Sequence, residues 1–481
     1  MTTNKLLQGL QQVPTAKTRN GDAAHSTTWN KGLDLFGAIG SLRKDQGRAL
    51  NLFQTAFSDN MDLAVRIALW ARDARGGAGE RGSFTTILKW LGDTHPDVAR
   101  QLVPMVPEVG RWKDLFVLLD TPAKDAAVTE LAKALMEGNG LCAKWMPRKG
   151  PIASQLRREF VMTPKQYRKL IVSLTNVVET AMCAKDWTKI DFGKLPSLAA
   201  ARYQKAFERN APAEYKAYEE KLVKGEAKIN ASAIFPHDVL MSARKGNDAI
   251  ASAQWKALPD YMEGTNERVL AMVDVSESMS CGINGGSQYS ATSGTSCMDV
   301  AIALGIYCSE RNDGPFKDHV VTFTDRPMLC NVGGTSLSAR YQASRRHVGY
   351  STNFDAAYRM ILETAVKHKV PAEDMPTMLM VLSDMQFNAG SFGYPKNTAN
   401  DRLQQAYADA GYTVPKMVYW NLNASAGNSP ITMHDKNCAL VSGFSPSILK
   451  SVLSAKEFDP CSIMKETVMV DRYNWQKTEA E

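Results

Sequence analysis

Cysteine is sparse in this chain and never closely paired. The eight cysteines stand at 142, 183, 281, 297, 308, 330, 438 and 461, with no Cys-x-x-Cys spacing and no histidine cluster beside them. Free thiols in a reducing compartment account for that pattern better than a zinc site or a disulfide framework. Histidine is scarcer still, at seven residues, none of them in a His-x-x-x-His or His-Glu-x-x-His arrangement. Zinc hydrolysis is therefore a poor fit. Long apolar runs are missing too: nothing approaches the roughly 20 residues needed to span a bilayer. The opening stretch MTTNKLLQGLQQVPTAKTRN has no apolar signal-peptide core, so a soluble, cytoplasmic protein is expected. Also absent are a Gly-x-Ser-x-Gly elbow, a serine with a histidine base, and a Walker A ending, which argues against an enzyme.

What is present is a chain of 481 residues, 44% hydrophobic and 22% charged, long enough for two domains. Its charge is uneven. Residues 1–265 hold 38 Lys+Arg against 28 Asp+Glu, and the remainder 19 against 22, so the net +7 comes entirely from the first part. An anionic partner such as nucleic acid, or a merely solubilising surface, would each account for that excess. The expected organisation is a flexible N-terminus (1–25), a helical region (26–265) and an alternating β/α region (266–481), joined at the turn-rich PDYMEGTNER.

Apolar residues at spacings of three and four predict helices over 60–74, 81–93, 95–110, 111–120 and, most clearly, 163–186. The last opens with a Thr163/Gln166 capping box and Pro164, and leaves Lys165, Arg168 and Lys169 on a polar face. Strand-like alternation is nearly absent before residue 265. Paired helices stacked as a HEAT-like solenoid are the expected result, without a strict sequence repeat.

Two basic stretches lie between the helices. In RDARGGAGERGSF (72–84), Arg72, Arg75 and Arg81 surround glycines that would let backbone amides approach a phosphate; the alternative is a helix-ending turn whose arginines pair with Asp73 and Glu80. In CAKWMPRKGPIASQLRREF (142–160), Lys144, Arg148, Lys149, Arg157 and Arg158 flank Trp145, the mix of cations and aromatic that single-stranded nucleic acid sites use. Trp145 itself reads as a core residue at a helix end.

From residue 266 apolar strands (268–275, 318–325, 376–384, 416–423, 438–443) alternate with helices (297–312, 353–369, 400–411, 445–458), which implies a mostly parallel sheet covered on both faces. Ligands of such sheets bind at the carboxyl ends of the strands. There VDVSESMS supplies Asp274, Ser276 and Ser278, VLSDMQF supplies Asp384, and GYSTNFD supplies Thr352. Two carboxylates and three hydroxyls suit a hard divalent cation such as Mg2+; the alternative is that the serines only cap the next helix.

These residues carry a resemblance. DVSESM, STNFD and LSDM resemble the metal-ion-dependent adhesion site of von Willebrand factor A domains, over roughly residues 266–481. The resemblance implies metal ligation by Asp274, Ser276, Ser278, Thr352 and Asp384, with an acidic group of a protein partner completing the coordination. Glu277 stands where glycine is usual, and the loop CGINGGSQYSATSG is an insertion, expected to be mobile. The whole chain, with RDARGGAGERGSF, GRWKDLF, AKWMPR and INASAIFPHD, is similar to a large family joining a helical region to such a domain. That architecture resembles the Ro autoantigen, or TROVE-module, proteins. It implies a non-enzymatic RNA-binding protein whose helical region, closed into a ring by the A domain, takes single-stranded ends or small structured RNA. A metal-dependent protein-interaction scaffold without RNA is the rival reading.

Overall fold

A computed structural model describes residues 4–231, 233–246, 248–283, 294–334, 336–346, 348–389 and 396–476. Most of the inserted loop, residues 284–293, lies outside the described residues, as do the first three residues of the N-terminus.

The second half is built on a six-stranded sheet: β1 (Val269–Asp274), β2 (His319–Phe323), β3 (Met328–Asn331), β4 (Met378–Ser383), β5 (Lys416–Asn421) and β6 (Cys438–Ser442), in the order β3-β2-β1-β4-β5-β6. All neighbours are parallel except β2 and β3. The central strands VLAMVD and MLMVLS are buried at every position, as expected where helices cover both faces. Helix Cys297–Glu310 is buried along almost its entire length and starts from a Ser296/Asp299 capping box. A Cβ at Gly305 would lie 2.6 Å from Val273 Cγ2, so this helix sits directly against β1.

β3 and helix Leu337–Arg345 were not expected. β3 is a short edge strand next to Pro327, with Met328 and Leu329 exposed, so it lacks the apolar run that reveals its neighbours.

The first half is helical: Lys31–Ile39, Gln46–Asp59, Met61–Arg72 and Gly82–Thr94 follow each other with short links, and the expected helix over 95–110 divides into Pro96–Leu102 and Met105–Val109. Residues 111–120 tighten into a 3-10 helix, Trp112–Leu118. The expected continuous helix over 163–186 is corrected. It is two helices, Pro164–Leu174 and Val178–Ala184, because Thr175 turns extended and its hydroxyl donates back to Ile171 O at 2.6 Å. The capping box is present. A separate small core of Phe192, Phe207, Tyr215, Leu222 and Ile250 holds helices Ser197–Asn210, Pro212–Lys224 and Asp248–Lys256 together.

The boundaries drawn from the sequence need two corrections. Residues 16–25 are not a loose tail: Ala16–Lys17 and Ala23–Ala24 pair as a small antiparallel ribbon, and Asp22, Ala23, Ala24 and His25 are buried. The two halves also share one core. Helix Lys31–Ile39 lies along β6, with Gly40 N donating to Ser442 Oγ (3.0 Å) and Ser442 Oγ donating to Phe36 O (2.8 Å). A helix of the first half thus serves as a covering layer for the sheet of the second.

Candidate metal centre and basic face

The carboxyl ends of β1 and β4 meet at one edge. Asp274 closes β1, Asp384 follows β4, and both are essentially inaccessible. Asp274 Oδ1 accepts from Ser276 N (2.9 Å) and Oδ2 from Ser383 Oγ (2.5 Å). Ser276 and Ser278 hydroxyls lie 3.1 Å apart; Ser276 is buried and Ser278, like Glu277, faces solvent. Asp384 Oδ1 accepts from Gln386 N at 3.1 Å, and Met385 between them takes a left-handed φ of 59°, which reverses the chain directly behind the carboxylate. Thr352 arrives on a third loop. Gly349 bridges Ser276 there, in a spot where a Cβ would lie 2.6 Å from Thr324 Oγ1. Thr352 exchanges backbone contacts with Asn388, accepting from Asn388 N (2.9 Å) and donating to Asn388 Oδ1 (3.1 Å). Asn353 then caps helix Phe354–His368.

Burial, and then the charge of Asp384, push the Asp274 carboxyl up to about 7; burial raises Asp384 as well, against the lowering effect of hydrogen bonds from Gln386 N and Ser278 and of the Arg19 charge. Two buried carboxylates that share a site are stable as anions only when a cation or donors compensate them. Among the described residues no cluster of three or more His, Cys, Asp or Glu side chains could hold a metal. The groups at this edge are instead the carboxylates of Asp274 and Asp384 and the hydroxyls of Ser276 and Ser278, with Thr352 on the adjoining loop; an all-oxygen set is the kind that suits a hard divalent cation rather than zinc.

Sequence reasoning missed the N-terminal clasp around this site. Thr18 Oγ1 donates to Phe387 O (2.6 Å), Arg19 N to Gln386 Oε1 (2.8 Å), and Asn20 Nδ2 to Gln386 O (2.5 Å), while Gly21 bridges Asn388. Arg402 locks the clasp by forking onto Asp22 (2.9 and 3.0 Å) and Asp355 (2.8 and 2.9 Å). No local signal marks residues 18–22 as a clasp, since Phe387 lies 369 positions from Thr18 and Arg402 lies 380 from Asp22.

The basic candidates divide by burial. Arg75, Arg81, Arg148, Lys149, Arg158, Lys165, Arg168 and Lys169 are exposed; Lys144 and Arg157 are half-buried, and Lys144 pairs with Glu179 at 3.6 Å. Arg72 is a correction. It is 1% exposed and forks onto Asp114 Oδ2 at 2.8 and 2.6 Å, so its charge is committed inside the protein. The glycine loop is spent internally as well: Gly77 and Gly79 N both donate to Asp73 O. The expected partners of its acids also change, with Asp73 held by Arg472 and Tyr473 and Glu80 facing Arg43 at 3.5 Å. Trp145 is only partly buried, and the Arg111 guanidinium and the Lys113 ammonium each lie 5.1 Å from its ring centroid. Burial, with Arg81 and Arg72 nearby, brings Arg111 down to about 10. Arg111 and Lys113 were missed, although both flank Trp112 in GRWKDLF.

Comparison with known proteins gives four findings. Residues 268–481 match a domain of unknown function, DUF7788, and residues 18–144 and 129–273 match another, DUF2828. The uncharacterized protein L728 of Acanthamoeba polyphaga mimivirus is 30% identical over 511 residues, spanning 93% of this chain and 86% of that protein. The crystal structure of the Ro (RSR) protein of Deinococcus radiodurans covers 90% of this chain and 93% of its own at 15% identity, with a TM-score of 0.37. The DUF2828 matches together take in more than half of the residues, and the chain belongs to that family.

Proposed function

We propose that this chain is a non-enzymatic RNA-binding protein whose α/β half, read as a von Willebrand factor A domain, carries a divalent-cation adhesion site. The observation that carries the metal reading is the meeting of Asp274 and Asp384, both buried and both raised by burial, with Ser276, Ser278 and Thr352 at the carboxyl edge of the sheet. The likeness of DVSESM, STNFD and LSDM to the adhesion-site motif supports it. Asp274 and Asp384 would hold Mg2+ directly or through water, Ser276, Ser278 and Thr352 would add hydroxyl oxygens, and the cation would supply a binding point for an acidic group. Exposed Ser278 and Glu277 mark the side from which that group approaches. An acidic residue of a protein partner fits there, as does a contact that closes the helical region, read as HEAT-like repeats, into a ring.

The RNA reading rests on the charge excess of residues 1–265, on the exposed cations Arg75, Arg81, Arg148, Lys149, Arg158, Lys165, Arg168 and Lys169, and on Arg111 and Lys113 against Trp145. Phosphate contacts of this kind make affinity fall steeply with salt. Binding of single-stranded RNA is tested by titration at several salt concentrations. Replacing Arg148, Lys149, Arg157 and Arg158 together with Ala should weaken binding and flatten the salt slope, whereas unchanged affinity would reject this placement. The rival reading, a protein-interaction scaffold, draws on the solvent-facing Ser278. Purified protein whose ratio of 260 to 280 nm absorbance is high and falls with RNase favours RNA; clean protein that captures an acidic partner only with Mg2+ favours the scaffold.

A further inference from the structure

Cys281 and Cys297 are 16 positions apart in sequence and carry no recognisable spacing, yet the fold sets them face to face. Cys297 N donates to Cys281 O at 3.0 Å, Ile283 N donates to Thr295 O at 2.9 Å, and Gly282 bridges Ser296 in antiparallel sense between them. That pattern sets 281 and 297 opposite each other with one of the two bonds of a hydrogen-bonded antiparallel pair made, Cys281 N donating instead to Ser278 O at 3.5 Å; in a complete pair of this kind the Cα atoms lie about 5.5 Å apart. A disulfide needs about 4.4–6.8 Å. The side chains already point at each other: Cys281 Sγ lies 3.5 Å from Cys297 Sγ. Among the described residues no other two cysteine sulfurs make such a contact.

The surroundings give the pair an attacking and a resolving member. Cys281 is half-buried, and its sulfur accepts from Asn423 Nδ2 at 3.4 Å. Cys297 is buried, with its thiol directed at Leu422 O at 3.5 Å. Both line a cavity of about 230 Å3 that also receives Arg19 and Lys44, so a small polar oxidant has room beside the sulfurs and cations to support a thiolate.

We infer that Cys281 and Cys297 form a reversible redox site that a hydroperoxide converts to an intramolecular disulfide. Cys281 sulfur attacks the terminal peroxide oxygen; the O–O bond breaks, an S–O bond forms, and the thiol proton leaves with the displaced oxygen, as water from hydrogen peroxide or as the alcohol from an organic hydroperoxide, giving Cys281 sulfenic acid. Cys297 sulfur then attacks Cys281 sulfur. The S–O bond breaks, the S–S bond forms, and a departing water carries away the Cys297 proton. The two sulfurs together lose two electrons and the peroxide gains them, and a dithiol reductant reverses the sequence. The bond would join the end of the turn bearing Ser276 and Ser278 to the start of helix Cys297–Glu310.

The experiment treats reduced full-length protein with a small excess of hydrogen peroxide, then alkylates, measures intact mass and maps peptides. The expected product is a monomer lighter by about 2 Da before alkylation, for the two hydrogens lost, with a Cys281–Cys297 peptide link that dithiothreitol removes. The Cys297→Ser variant should stop at a dimedone-trappable sulfenic acid on Cys281. Cys281→Ser should slow peroxide consumption about tenfold or more, since the accessible thiolate sets the rate. A link between other cysteines, a link between two chains, or no link at all on wild-type protein overturns the inference. The wild-type peptide map decides the matter even where a variant folds poorly.

Discussion

Arg72 shows how one side chain can be misread when its partner is distant. In sequence it is one of three arginines around glycines, a pattern that suits phosphate. In the fold it ends helix Met61–Arg72 inside the core and forks onto Asp114, 42 positions away. Removing one partner of a buried ion pair strands the other charge, so Asp114→Ala should cost about 3–5 kcal/mol of stability in urea denaturation. The joint replacement Arg72→Met with Asp114→Leu should recover most of it. Asp274 behaves in the opposite way. Its carboxylate is costly without a cation, so in EDTA Asp274→Asn should be at least as stable as wild type, while Mg2+ should raise the melting temperature of wild type alone. A wild-type Tm unmoved by millimolar Mg2+ would count against the metal reading. The placement of Asp274 and Asp384 at the carboxyl ends of two strands was legible, because each closes an apolar run. Arg72 was not, because nothing local distinguishes a buried arginine from an exposed one.

At the scale of elements, the sequence was clearest where burial is uniform. β1, β4, β5 and β6 are apolar runs and were visible; β3, half-exposed at a sheet edge, was not. Helix Pro164–Leu174 was visible at its start, where Thr163 and Gln166 cap reciprocally. Its end was not, because a run of β-branched and amide residues, Thr175 to Val178, follows apolar spacing while favouring extended backbone. Thr163→Ala should destabilise this helix by about 1 kcal/mol, measured as faster amide exchange confined to its first turns. The contact of helix Lys31–Ile39 with β6 gives a sharper test. A Cβ at Gly40 would meet Ser442 O at 2.6 Å and Gly443 Cα at 2.9 Å, both backbone atoms. Gly40→Ala should therefore cost about 1–3 kcal/mol, seen as a lower Tm, whereas the same change at Gly138, which meets nothing within 4 Å but has a φ of 76°, should report backbone strain alone.

For the whole molecule, two buried histidines set an acid limit. His25 and His237 both have their pKa values lowered, burial being the largest cause for each. The unfolded chain takes up protons on both near pH 6.5, and the folded protein resists. Their contribution is thus complete above about pH 6.5 and declines as pH falls below it, by up to about 1.4 kcal/mol per pH unit for each histidine. Protonation of the raised Asp274 carboxyl acts in the opposite sense over the same range, so the test compares variants: in thermal melts at pH 7.5 and 5.5, His237→Gln should lose less stability on acidification than wild type. The same change in Tm for the two proteins across that range would contradict the assignment. The change from helices to alternating strands and helices after residue 265 was legible from the periodicity, but the sharing of one core by the two halves was not, because a helix that covers a sheet looks in sequence like any other amphipathic helix.

The clasp of residues 18–22 on Gln386–Asn388 also constrains when this protein can finish folding. Thr18 and Phe387 are 369 positions apart, so during synthesis the earlier segment must wait for the later one. Contacts of such separation close late and slowly, and the helical half meanwhile presents helix Lys31–Ile39 without the strand it will cover. Synthesis that stops before residue 386 leaves an apolar helix face uncovered and the candidate metal site without its backing, a species prone to aggregate. The candidate site thus becomes competent only after residues 386–388 have been made and have met residues 18–21.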